Sequence, residues 1–158
     1  MAQQFYVIFG KNARELLGHC LCLEIVHCGA GFSDVSGLGG QATEPLLASE
    51  ILATELTYAL HQKELRGALK TGSVERVLKQ FHADCAADRW LLLPLGRDVL
   101  IRAAQVAKAC YQRRPPIALR TLDGVHLATA LLAKASHLVT TDERMRQAAC
   151  ALGVTLIP

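Results

Sequence analysis

Three acidic residues stand at places where the chain is predicted to pass from a strand into a helix. Glu55 lies about one and a half turns into a helix, Asp123 in a first helical turn, and Asp142 directly after a strand. Because parallel strands end at one edge of a sheet, where the helices begin, we expect these carboxylates to converge. An acid in a first helical turn is also favoured by the helix dipole, so any one of them alone has an ordinary structural explanation.

The convergence of three carboxylates would require a cation or shared protons. Two carboxylates about 4 Å apart repel by roughly 4 kcal/mol at an effective dielectric near 20. Oxygen ligands select hard cations, and a divalent cation lowers the pKa of water and stabilises charge on a phosphate undergoing displacement. The residue types therefore predict a Mg²⁺ or Mn²⁺ site made by Glu55, Asp123 and Asp142.

The elements that would position these acids alternate along the chain between strands and helices. We predict strands at Phe5–Phe9, Leu46–Ala48, Trp90–Leu95, His137–Thr140 and Val154–Ile157. We predict helices at Asn12–Leu17, from a Ser49 cap to about Leu69, at Val74–Ala87, Arg97–Tyr111, Leu122–Ala135 with a Thr121 cap, and Glu143–Leu152 with a Thr141 or Asp142 cap. Strands separated by helices indicate a mainly parallel sheet covered on both faces, a three-layer α/β/α sandwich.

The composition fits a single globular domain spanning residues 1–158. The chain is 51% hydrophobic, 20% charged and only 5% aromatic, which excludes intrinsic disorder and favours helices packed on a sheet. Its formal charge of +3 permits an anionic partner without requiring one. We expect no membrane span and no export signal, hence a cytoplasmic protein with reduced cysteines.

Residues 9–45 follow no clean period, and they include a cluster of soft metal ligands. We predict a strand at Leu21–Val26 and a glycine-rich loop at Gly29–Gly40. The cluster comprises His19, Cys20, Cys22, His27 and Cys28. Zinc accepts such ligands, but the spacing is not that of a common zinc motif, so a zinc-binding regulatory protein and ordinary buried thiols both stay open. The other cysteines, Cys85, Cys110 and Cys150, are expected to fill the core.

Several polar residues have both a functional and a structural interpretation. His126 lies three residues after Asp123 on the same helix face, where it would ligate a metal or, more ordinarily, be a buried structural histidine. Arg120 and the pair Arg113–Arg114 would contact phosphates or belong to a solvated loop. Thr141 would orient a water or cap the last helix.

Three segments resemble motifs of the PIN-domain family, which includes the VapC-type toxin ribonucleases. Their sequences are Leu119-Arg-Thr-Leu-Asp-Gly-Val-His-Leu-Ala-Thr-Ala-Leu, His137-Leu-Val-Thr-Thr-Asp-Glu-Arg-Met, and Ala48-Ser-Glu-Ile-Leu-Ala-Thr-Glu-Leu-Thr-Tyr-Ala-Leu. The resemblance covers residues 46–158 and implies a metal-dependent endoribonuclease that hydrolyses RNA phosphodiesters. It also implies the toxin of a type II toxin–antitoxin pair, a homodimer, and a small antitoxin whose tail occupies the acidic cleft.

By this resemblance, Asp123 is the principal metal ligand, and Glu55 and Asp142 are supporting ligands or orient the attacking water. The chain departs from the family at its first strand, which normally ends in an aspartate, because Ile8 and Phe9 stand there. Glu24 or Asp34 would be the candidate substitutes. The alternative interpretation is therefore a catalytically impaired PIN-like binding module.

Overall fold

A computed structural model describes residues 6–8, 46–135, 137–140 and 142–157. The strands are β1 (Tyr6–Ile8), β2 (Leu46–Ser49), β3 (Trp90–Leu93), β4 (His137–Val139) and β5 (Thr155–Ile157). The helices are α1 (Ile51–Leu65), α2 (Ser73–Ala86), α3 (Arg97–Tyr111), α4 (Thr121–Leu132) and α5 (Glu143–Ala151). The predictions for Asn12–Leu17, Leu21–Val26, Gly29–Gly40 and the Cys20/Cys22/Cys28 cluster lie outside the described residues.

The five strands form one sheet in the order β3-β2-β1-β4-β5, and every pairing is parallel. The short strand β1 is therefore central, between β2 and β4. Its last residue, Ile8, pairs with Val139 at the end of β4. The carboxyl ends of β1 and β4 consequently lie side by side, immediately before Asp142.

Helices cover both faces of the sheet, as the α/β/α prediction requires. Side chains alternate along a strand, so neighbouring residues of β2 enter different cores. Leu47 packs with residues of α3, α4 and α5, whereas Ala48 packs with residues of α1, α2 and β3. The first core contains Val106, Leu127 and Leu138. The predicted fold class is confirmed.

Helix α1 packs on the sheet through Leu52, Leu56, Ala59 and Leu60, which are all buried. The predicted end at Leu69 is wrong. The helix stops at Leu65, and Gly67 takes a left-handed backbone with φ of 72°, which favours glycine and terminates helices.

Other boundaries differ because backbone pairing and local chemistry override the sequence signals. Ser49 is not the cap of α1; it ends β2 opposite Leu93, and Glu50 is the N-cap. Likewise, Thr121 is the first residue of α4, after the N-cap Arg120.

Three further elements are shorter than predicted. Strand β3 stops at Leu93 because Pro94 has no N–H to donate to a ladder. Helix α4 stops at Leu132, shortly before Lys134, which has φ of 53°. Strand β4 stops at Val139, one residue before Thr140.

The described cysteines divide between the core and the surface. Cys110 is buried and Cys85 is half-buried, as expected for core filling. The prediction is wrong for Cys150, which is exposed because it lies on the outward face of α5. Among the helices of the described ranges, none combines the length and apolar character that crossing a membrane requires.

Candidate metal centre

Asp123 is placed by the start of α4. It is the third residue of the helix, and its carboxylate accepts a hydrogen bond from the backbone N–H of the N-cap Arg120. This is the reciprocal half of a capping box, in which the third helical residue satisfies the N–H of the cap. The second carboxylate oxygen, Oδ2, is buried and has no hydrogen-bond partner among the described residues.

Asp142 is placed by the start of α5 in a similar way. It is the N-cap, and its Oδ1 accepts hydrogen bonds from the backbone N–H groups of Arg144 at 2.8 Å and Met145 at 3.1 Å. Its own N–H donates to the Thr140 hydroxyl at 3.1 Å. The side chain is fully buried, and Oδ2 has no partner within the described part of the chain. The prediction that Thr141 or Asp142 caps this helix is confirmed for Asp142, whereas Thr141 lies outside the described residues.

The two aspartates interact electrostatically. Burial raises the pKa of Asp123, and the negative charge of Asp142 raises it further. The backbone N–H and the positive charge of Arg120, together with the neighbouring His126, lower the pKa of Asp123 without reversing the shift. Each aspartate therefore uses one oxygen to cap a helix and leaves the other buried, and the pair resists carrying two negative charges.

Glu55 is joined to α4 by a histidine. Its Oε2 lies 2.7 Å from Nε2 of His126, whose side chain is 5% exposed while that of Glu55 is 21% exposed. His126 is one helical turn beyond Asp123, so Glu55 is fixed beside the helix that carries the first aspartate. The contact favours the structural interpretation of His126, because its Nε2 is already directed at a carboxylate.

The structure does not gather all three predicted acids around one point. Among the described residues, no group of three or more His, Cys, Asp or Glu side chains is arranged to hold a metal ion. Glu55 faces His126, whereas Asp123 and Asp142 act on each other. That all three acids serve one ion stays a prediction.

The donor set nevertheless fits a hard divalent cation. Asp123 and Asp142 each direct one buried carboxylate oxygen to no described partner. Buried polar atoms are rarely left without a partner, and a buried carboxylate oxygen without one is costly. A cation held by Asp123 and Asp142 would give these oxygens a partner and offset the repulsion between the two carboxylates, and oxygen ligands are those that Mg²⁺ and Mn²⁺ prefer.

Sequence reasoning missed two supporting residues of this region. The Thr140 hydroxyl accepts the N–H of Asp142 and donates to the Met145 sulfur at 3.7 Å, while the Thr140 carbonyl accepts from Arg146. Ser49, at the carboxyl end of β2, has a buried hydroxyl with no partner among the described residues. A polar residue at the end of an apolar strand was the available signal for both.

A five-stranded parallel sheet covered by helices on both faces, with Asp123 and Asp142 at the starts of two of those helices, defines a three-layer α/β domain. The chain belongs to the PIN domain family, which it matches over residues 35–150. A search of curated proteins finds no significant match to the chain. The matched range contains Glu55, Asp123 and Asp142 but begins after β1, the strand that lacks the first aspartate of the family pattern.

Proposed function

We propose that this chain is a Mg²⁺- or Mn²⁺-dependent endoribonuclease that hydrolyses RNA phosphodiesters. PIN domains are generally metal-dependent nucleases that act on RNA or DNA. The observation that carries the proposal is the pair of buried carboxylate oxygens on Asp123 and Asp142 that have no hydrogen-bond partner in the part of the chain that the structure describes. Their mutual repulsion gives the site an affinity for positive charge that ordinary helix capping does not require.

Each of the three acids would have its own role in the proposed reaction. Asp123 and Asp142 would hold the cation through their free oxygens while their other oxygens keep the starts of α4 and α5 rigid. Glu55, fixed by His126, would complete the ligand set or orient the attacking water. When bound, the cation would lower the pKa of water and stabilise negative charge on the phosphate.

The biological part of the proposal is a toxin of a type II toxin–antitoxin pair. It includes a cytoplasmic location, a homodimer, and a small antitoxin whose tail occupies the acidic cleft. The motifs that resemble VapC-type proteins support it. Induction of the parent in a bacterial host should arrest growth, and induction of Asp123→Ala should not. Equal growth under both inductions would contradict the toxin function.

The direct test is a calorimetric titration with Mn²⁺ of the parent and of Asp123→Ala. We expect the parent to bind and the variant, while folded, to lose detectable binding because one of the two free oxygens is gone. Asp98→Ala is the matched control, since Asp98 is an exposed acid in the first turn of α3. Equal binding by the parent and Asp123→Ala would show that the site has been placed wrongly.

A catalytically impaired binding module is the second candidate, and the position of Ile8 favours it. The backbone places Ile8 at the end of the central strand, beside the end of β4. An aliphatic residue there supplies no ligand where the family pattern has an aspartate. A folded parent that binds no Mn²⁺ would support this function and exclude the nuclease.

A further inference from the structure

A basic groove lies beside the candidate metal centre. It has a volume of about 730 Å³ and runs between the loop after α3, one side of α5, and Leu156 of β5. The loop contributes Arg113 and Arg114, and α5 contributes Arg146. Three arginines therefore line one concave surface.

The positive charge of this groove is not neutralised within the described part of the chain. None of the three arginines makes an ion pair there. Arg113 and Arg114 are exposed. The one acid in the lining, Glu143, accepts a hydrogen bond from Gln147 at 3.1 Å. With three arginines against one glutamate, the groove presents a net positive surface to solvent.

Arg146 connects the groove to the candidate metal centre. Its guanidinium donates to the Thr140 carbonyl at 3.1 Å, and its backbone N–H donates to the Asp142 carbonyl at 2.8 Å. Thr140 also accepts the N–H of Asp142 through its hydroxyl. Arg146 is thus one helical turn, about 5.4 Å along the axis, from the aspartate that caps α5. Since Glu143 also lines the groove, the groove reaches the start of α5, which Asp142 caps.

We propose that this groove binds the sugar–phosphate backbone of single-stranded RNA beside the candidate metal centre. The inference rests on the proposed nuclease function and names residues that would hold the substrate. Arginine matches phosphate oxygens in a bidentate geometry and is always charged. Among the described residues that line the groove, none is aromatic, so the groove lacks a surface on which bases stack. It should therefore hold phosphates and discriminate weakly among sequences.

The test separates binding from cleavage. A fluorescent oligouridylate is titrated with protein in EDTA, and anisotropy is followed at several salt concentrations. Variants are Arg113→Ala/Arg114→Ala and, as a control with the same charge change, Arg66→Ala/Lys70→Ala, whose side chains are exposed near the end of α1 outside the groove. Circular dichroism checks that each variant is folded.

We expect the groove variant to bind at least tenfold more weakly than the control. Each phosphate contact to a single strand contributes about 0.7 to the slope of log affinity against log salt, so losing two should reduce that slope by about 1.4. An oligoadenylate should bind about as tightly as the oligouridylate.

Three binding results would overturn the inference. The first is absence of RNA binding by the parent, and the second is an equal loss of binding in the groove and control variants. The third is tighter binding of an oligoglutamate peptide than of RNA, which would indicate an acidic protein partner. Failure of the nuclease proposal looks different. In that case the parent binds RNA through the groove in EDTA but cleaves nothing with Mn²⁺. If the groove variant instead cleaves RNA with the KM of the parent, the nuclease proposal would stand and the proposed binding of RNA in the groove would be wrong.

Discussion

His126 Nε2 lies 2.7 Å from Glu55 Oε2 and joins α4 to α1 across 71 positions of sequence. The histidine is buried, and the glutamate is at the edge of solvent. This contact gives Glu55 a fixed position beside the helix that begins with Asp123. His126 would therefore act indirectly in the candidate metal centre. It would orient Glu55 and would not itself contact the ion.

Replacement of His126 by glutamine should weaken Mn²⁺ binding without abolishing it. Loss of a residue that orients a ligand typically costs 10- to 100-fold in affinity, and leaving one partner of a buried polar contact unsatisfied costs about 1–3 kcal/mol of stability. Calorimetry and urea denaturation measure the two effects. His61→Gln, at an exposed position of α1, is the control and should change neither. If His126→Gln binds Mn²⁺ with the affinity of the parent, Glu55 does not belong to the metal site.

Asp123 should make the metal-free protein less stable as pH rises. Burial and the charge of Asp142 raise its pKa above the ordinary 3.8, so in the intervening pH range the native state holds a proton that the unfolded chain has released. Stability is then fully present below the unfolded pKa and is lost as pH rises through the folded pKa. Urea denaturation in EDTA from about pH 4 to 7 should show this decline in the parent and a smaller one in Asp123→Asn. Asp98→Asn should retain the parental slope, and a parental slope in Asp123→Asn would contradict the electrostatic explanation.

Asp142 should reveal its two functions through two different substitutions. Asp142→Asn keeps a capping oxygen for the N–H groups of Arg144 and Met145, whereas Asp142→Ala leaves both unsatisfied. We expect Asp142→Ala to lose about 1–2 kcal/mol of unfolding free energy in EDTA and Asp142→Asn to lose less than half of that. Both variants should lose Mn²⁺-dependent stabilisation, as thermal melts with and without the ion would show. Full stabilisation of Asp142→Asn by Mn²⁺ would mean that the cap is its only function.

Among the described cysteines, Cys150 should react first with iodoacetamide. It is exposed on α5, whereas burial raises the pKa of the Cys85 and Cys110 thiols, and the thiolate is the reactive form. Peptide mass spectrometry after short labelling would give the order of modification. In urea the three sites should react at similar rates. Labelling of Cys110 as fast as Cys150 in the native protein would contradict the packing described for α3.

Much of the fold follows from local signals in the sequence. The bounds of α3 are those that its apolar pattern and the prolines after it predict, and the cap of α5 is one of the two candidates, Thr141 and Asp142, that the sequence offers after the strand. Such signals involve contacts a few residues apart, so one sequence suffices to read them. The boundary at Ser49 is wrong because a distant partner decides it, since Ser49 pairs with Leu93 of another strand. The wrong ends of α1 and β3 have local causes, at Gly67 and Pro94.

By itself the sequence determined the class of the domain and predicted that three acids lie at the carboxyl edge of its sheet, because strand–helix alternation requires a parallel sheet and places polar residues at that edge. Only the tertiary structure decided what each acid contacts there. It directs Glu55 to His126, and it buries one oxygen of Asp123 and one of Asp142 away from any other described polar group. It also brings the arginines of the loop after α3 to the same groove as Arg146 of α5. These relationships join residues far apart in the chain. They depend on how helices pack against the sheet, which no local pattern encodes.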